Sequence, residues 1–439
     1  MSEGSKRSSV STISGSVARM EAEPVGEKKK GLGMWMTSFF LIAQMAGAGF
    51  LSLPKALANT GWLGVPMLIL FCTMVGFSGT RLGKCWVILE ERYPEYKKPC
   101  RQPYMEIADK ALGVHGRRLT LASVVITLLG GTTVFLILIA SFLNGLIPQL
   151  SSCEWLLIVA AVILPFTWLG TPKDFWQASV LAVISTAVAC IVIFIQILVE
   201  IENHEDPFYQ NPTISTFALG FGAILFAFGG ASVFPTIQND MGDRTQFGKS
   251  VVVGFAAILS LYLPVAVAGY AVQGFEVGDN ILLSVNQASW SVTAAIILEV
   301  INLFGTYIIS FNPVGQVFEE LLGVENKFGY KRCLVRSAII IFEVIIGLAV
   351  PDFGMILNLI GGSTVTVCSF ILPPLMYMKL VDRTGPPEWP KRTIPLWERV
   401  VLWEIIIIGA VGGITSTVSA FIAILDPDSF NKSCFVAFS

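Results

Sequence analysis

Four polar side chains inside one apolar stretch pose the first chemical question. Glu299, Asn302, Thr306 and Ser310 fall at i, i+3, i+7 and i+11, the spacing that stacks side chains on one face of a helix. A carboxyl in such a stretch costs about 2.5–3.5 kcal/mol to place in a bilayer, so it points to a role. Three roles fit. Glu299 can carry a proton, Thr306 and Ser310 can offer hydroxyl oxygens to Na⁺, or the whole stripe can hydrogen-bond neighbouring helices. Proton coupling is favoured over sodium. Glu343 stands in another apolar stretch without polar companions at helical spacing, and either relays a proton or packs as the neutral acid.

Two glycine-rich interruptions form the second feature. One is Ala46-Gly47-Ala48-Gly49, with Pro54 five residues after Gly49; the other is Phe228-Gly229-Gly230-Ala231-Ser232, with Pro235 five residues after Gly230. Backbone groups in a membrane must be satisfied internally, so a matched pair of breaks marks places where backbone opens onto a cavity. A half-helix starting near Gly49 presents free N–H groups and the positive end of its dipole, which suits a carboxylate; one ending near Phe228 presents bare carbonyls, which suit an ammonium. Together they describe a zwitterion. The bland alternative is close packing of small residues between helices. Thr132, beside Gly130 and Gly131, either reaches the same site or serves that packing.

These residues need membrane helices to hold them. Of the 439 residues, 54% are hydrophobic and 14% charged, against about 25% charged in a soluble domain. Eleven apolar stretches can be read, at 34–58, 62–88, 119–146, 155–171, 177–199, 216–238, 250–273, 291–317, 334–350, 354–379 and 400–425. With an odd number of crossings and a cytoplasmic N-terminus, only Lys55 and Lys432 of the 29 lysines and arginines fall on the far side, so positive charge orients the chain. The breaks lie in spans one and six. The second half therefore enters from the opposite side, which gives a 5+5 inverted repeat plus one extra helix. Residues 1–31 read as a disordered cytoplasmic tail, 32–426 as the transmembrane domain and 427–439 as a short extracytoplasmic tail. Between spans two and three, Tyr104 to Leu112 alternates apolar and charged residues at helical spacing, as an interfacial helix or a solvated loop would.

Composition also excludes. A net charge of −2 argues against a nucleic-acid partner, and two histidines, His115 and His204, leave little for a metal or haem site, so no enzyme and no cofactor are expected. Gly248-Lys249-Ser250 looks like the end of a phosphate loop, but Gly242 precedes it by the wrong spacing and no strand leads into it. Cys153 and Cys434 are the two cysteines on the oxidising side, either bridged or both free. Asn431-Lys432-Ser433 fits a glycosylation sequon too close to the last span for good access.

The run Gly47-Ala48-Gly49-Phe50-Leu51-Ser52-Leu53-Pro54, with Ala58-Asn59-Thr60-Gly61-Trp62 after it, resembles the first-span signature of the amino acid/auxin permease family. The run from Phe226 to Met241 resembles that family's sixth span more closely still. The likeness covers nearly the whole chain after the tail. It implies a LeuT-type arrangement and secondary active transport of amino acids. Where many members carry a histidine after the glycine pair, this chain has Ala231, so no histidine contact is carried over. The resulting expectation is a proton-coupled transporter of small neutral amino acids in a plasma, endolysosomal or vesicular membrane. The sequence leaves open sodium coupling, a non-transporting sensor using the same pocket, and the oligomeric state.

Overall fold

The computed structural model describes residues 31–98, 100, 102–168, 176–201, 207–324, 328–387, 389–427 and 433–437. The expected tail over residues 1–31, apart from Gly31, and Asn431 and Lys432 of the sequon lie outside them. Among the described residues the chain is all-helical, apart from one bridge in which Leu32 N–H donates to Asp240 O (2.9 Å) and Gly242 N–H donates to Leu32 O (3.1 Å). That bridge fixes Leu32 at the entrance to the first helix.

The helices in order are α1 Met34–Met45, α2 Leu53–Thr60, α3 Gly64–Arg92, α4 Pro103–Leu146, α5 Ser152–Trp168, α6 Trp176–Glu200, α7 Ile214–Ala227, α8 Phe234–Asn239, α9 Phe247–Gln273, α10 Ile281–Ser284, α11 Trp290–Leu321, α12 Tyr330–Ala349, α13 Phe353–Ile360, α14 Leu372–Asp382 and α15 Leu396–Leu425. Seven helical runs among the described residues are long and apolar enough to cross a membrane, and α1, α5 and α7 are shorter apolar helices. Local chemistry sets the ends. Thr213 and Thr216 close a reciprocal capping box on α7, and the Asp352 side chain accepts from Gly354 N–H (2.8 Å) to start α13. Gly61, at φ +64°, turns the chain from α2 into α3, and Gly113, at φ +74°, separates the piece 103–112 from the long part of α4.

Packing shows which solvent the bundle is built for. On α15, Val411, Ile414, Val418 and Ile422 are exposed, whereas Gly409, Gly413, Ser416 and Ala420 are buried. Large apolar side chains outside and small ones inside is the reverse of a water-soluble helix, and it fits a helix facing lipid. The basic residues serve a different end: Arg81 pairs with Glu398 (2.6 Å), Arg244 with Glu90, Arg392 with Glu91 (2.8 Å) and Arg399 with both Asp382 oxygens (2.7 and 2.8 Å). These pairs tie the C-terminal half of α3, the entrance of α9, the end of α14 and the start of α15 into one charged layer.

At the centre, α1 packs on α6 and α9, α2 on α7 and α9, and α11 on α4 and α6. The interruptions between α1 and α2 and between α7 and α8 are thereby enclosed by continuous helices.

Candidate transport site

Helix α1 stops at Met45, where Gly47 N–H turns back to Met45 O (2.9 Å); residues Ala48–Ser52 form a tight turn, and α2 begins with Pro54 as its second residue. Helix α7 stops at Ala227, Gly229 N–H and Gly230 N–H donate to Phe226 O and Phe228 O (both 2.9 Å), and α8 begins with Pro235 as its second residue. Proline suits that position because it has no N–H to satisfy and its φ is already helical. The two breaks touch. A Cβ on Gly49 would sit 2.5 Å from Ala227 Cα, and one on Gly230 would sit 2.8 Å from the Phe234 ring and 3.2 Å from Met45 Cγ. Only glycine allows backbones this close.

Between the breaks lies a cavity of about 50 Å³. Gly47, Ala48 and Gly49 line it from the first break, and Gly229 and Ser232 from the second. The N–H groups that open a helix have no acceptor within it, so the start of the 48–52 turn offers donors to the cavity. Gln44, Thr127, Ser232 and Ser310 add polar side chains, and Phe135, Phe226 and Val365 form apolar walls; none of the lining residues is charged. A second cavity of about 250 Å³ shares Leu128 and Ser232 with it and extends toward Gln102 and Pro103 at the head of α4. On the other side, α10 packs on the 48–52 turn and on α6, with Ile281 and Leu282 fully buried.

Glu299 is connected to the first break. Asn302 Nδ2 donates to Glu299 Oε2 (3.2 Å) and lies 3.4 Å from Thr186 Oγ1, and Thr186 Oγ1 in turn donates to Ala46 O (3.5 Å). Tyr262 OH donates to the neighbouring Met45 O (2.8 Å). Glu299 is fully buried.

The model of the family described as transmembrane amino acid transporter protein matches residues 30–422. The chain belongs to that family. Its curated relatives include amino acid transporter AVT1B of Arabidopsis thaliana, 25% identical over 87% of this chain and 69% of that protein. Lysine histidine transporter-like 6 of the same plant is 26% identical over 88% of this chain and 89% of its own. The fold is shared with a manganese transporter of Eremococcus coleocola, at a TM-score of 0.57 and 14% identity over 92% of this chain and 90% of that one. A member of this transporter family is a multi-pass membrane protein, and the breaks and their cavity lie well inside the matched segment.

Within this family member, the residues singled out by sequence separate into groups. Gly47, Ala48, Gly49, Gly229, Ser232 and Ser310 line the cavity. Ala46 turns its carbonyl to Thr186, Phe228 stacks on Phe255 and lies tilted against Tyr262, and Gly230 and Ala231 are packed behind the surface. Thr306 donates to Asn302 Oδ1 (3.2 Å) and stays in the Glu299 stripe. Thr132 points elsewhere: its Oγ1 lies 2.6 Å from Glu343 Oε1. Leu128, Gly131 and Phe135 take the cavity face of α4, and Thr132 is one step, about 100°, around the helix from Gly131. Tyr307 OH donates to the other Glu343 oxygen (2.6 Å), so this buried acid joins α4, α11 and α12. Cys153 and Cys434 form a disulfide, with Cα atoms 5.7 Å apart.

Sequence reading missed one element of the site. Between α13 and α14 the helix widens into π-turns over Gly361–Val365 and Val367–Ile371, which brings Val365 to the cavity. The Gly361-Gly362 pair and Pro373-Pro374 were the available signal.

Proposed function

We propose that this family member is a secondary active transporter of small neutral amino acids, coupled to protons and working by alternating access. The observation that carries the proposal is the pair of touching, proline-headed breaks with a cavity between them. Donors at the start of the 48–52 turn suit a carboxylate, and carbonyls at the end of α7 suit an ammonium. The cavity's small volume and uncharged lining favour a small neutral side chain.

In this reading there are eleven crossings. The pairs α1/α2 and α7/α8 are one broken crossing each, α13 and α14 form another, and α3, the long part of α4, α5, α6, α9, α11, α12 and α15 complete the set. The charged layer faces the cytoplasm, as the sorting of basic residues requires. The wider cavity at the head of α4 is then the inner vestibule, and α10 covers the outer side.

Proton coupling rests on Glu299. Glu299 is a fully buried carboxyl in a membrane helix, linked through Asn302 and Thr186 to the first break, which suits a group that takes up and releases a proton. Uptake by proteoliposomes across a panel of amino acids, with and without sodium at two pH values, tests the proposal. Accumulation of small neutral substrates that rises with external acidity supports it. Binding without counterflow means a sensor, and a sodium requirement rules out the proton.

A further inference from the structure

A groove of about 890 Å³ runs between α3 and α9 and shares no lining residue with the transport cavity. Phe77, Val252, Phe255 and Leu259 give it apolar walls, and Arg81, Lys84 and Lys249 stand at the end that belongs to the charged layer. These cations are not equivalent. Arg81 is satisfied, with Glu398 at 2.6 Å and the Phe77 ring 4.0 Å beneath its guanidinium. Lys84, with its Nζ 5.8 Å from the centre of the Tyr377 ring, and Lys249 are exposed and form no ion pair among the described residues. One acid stands by each: Glu398, paired with Arg81, by Lys84, and Asp243, which accepts from Thr245 N–H (3.1 Å), Thr245 Oγ1 (2.5 Å) and Gln246 Nε2 (2.7 Å), by Lys249. An apolar trough ending in three cations, Arg81, Lys84 and Lys249, against two acids, Glu398 and Asp243, matches a ligand with a long apolar tail and an anionic head.

We infer that this groove binds an anionic phospholipid, an acyl chain lying along Phe77, Val252, Phe255 and Leu259 and the phosphate meeting Lys84 and Lys249. The volume is in the range of ligand pockets, and basic pockets between membrane helices at the cytoplasmic face suit acidic lipid heads. A soluble anion would use the lysines and leave the trough empty. Gly248-Lys249-Ser250, which fails as a nucleotide loop, thus gains a phosphate of a different origin.

Native mass spectrometry of the purified full chain in detergent tests this directly, with phosphatidylserine, phosphatidylcholine and inorganic phosphate as separate probes. Phosphatidylserine is expected to be retained over phosphatidylcholine, and the double variant Lys84→Gln/Lys249→Gln should lose about 30-fold in its apparent affinity, roughly fivefold per lysine. Val252→Trp fills the trough without touching a charge, and because Val252 is exposed it keeps the fold; it should also lose phosphatidylserine. The inference fails if both lipids bind equally, if millimolar phosphate alone displaces the lipid, or if Val252→Trp binds phosphatidylserine like the parent. None of these readouts involves transport, so the lipid site and the transport proposal stand or fall separately.

Discussion

Pro54 and Pro235 occupy equivalent places: each is the second residue of a half-helix, five residues beyond a glycine that lies against the other break. The equivalence makes Gly49 and Gly230 two kinds of residue at once, part of the opening and part of the packing. A substitution there mixes both effects.

Gly47 separates them. A Cβ at Gly47 would meet only the Phe135 ring, at 3.4 Å, whereas one at Gly49 would strike the Ala227 backbone. Gly47→Ala should fold normally and raise the KM for substrate by narrowing the cavity. Gly49→Ala should lower stability by about 1–3 kcal/mol through overpacking. Thermal midpoints in detergent, set beside uptake kinetics, check both.

Glu299→Gln keeps an oxygen for Asn302 to donate to and removes the titrating proton. Uptake driven by a pH gradient should vanish, while exchange of internal for external substrate persists at unchanged pH. A variant that still accumulates substrate with the parent's pH dependence would move the proton elsewhere, with Glu343 as the next carrier to test.

Thr132→Val removes a hydroxyl from Glu343 without entering the cavity. Stability should fall by about 1–3 kcal/mol, because a buried acceptor loses its partner, and the KM should stay within twofold of the parent. A large change in KM would return Thr132 to the substrate site.

How much of this could be read from residues alone depended on how local the cause was. The breaks were legible because glycine and proline act on their own backbone, and the cavity formed where Gly47–Gly49 and Gly229 stood in the sequence. Thr132 was not legible in the same way: beside two glycines it was equally compatible with facing the cavity or Glu343, and a rotation of about 100° decides between them. The partners of Glu343 come from helices α4 and α11, so periodicity within its own stretch had nothing to show. The π-turns near Gly361 depend on packing against α7 and α15, where Gly222 and Ser416 leave space for no side chain; Gly361-Gly362 and Pro373-Pro374 mark the place in the chain but not those partners.

The Asp243 carboxyl lies outside the spans and is held below the usual aspartate range by hydrogen bonds from Thr245 and Gln246. A carboxyl lowered on folding contributes stability above its unfolded value, near 3.9, and loses it as pH falls through the lower folded value. Asp243→Ala should therefore lower stability at neutral pH through loss of the turn's cap, by a small amount because water screens this exposed carboxyl. The gap between variant and parent should close below about pH 4, as thermal midpoints measured across pH will show.

The most direct test of the central claim is proton movement itself. Proteoliposomes loaded with a pH-sensitive dye, held at equal pH inside and out without sodium, should acidify internally when alanine is added outside, and the Glu299→Gln protein should not. Alanine entry with no change in internal pH, or entry only with sodium present, would contradict the account.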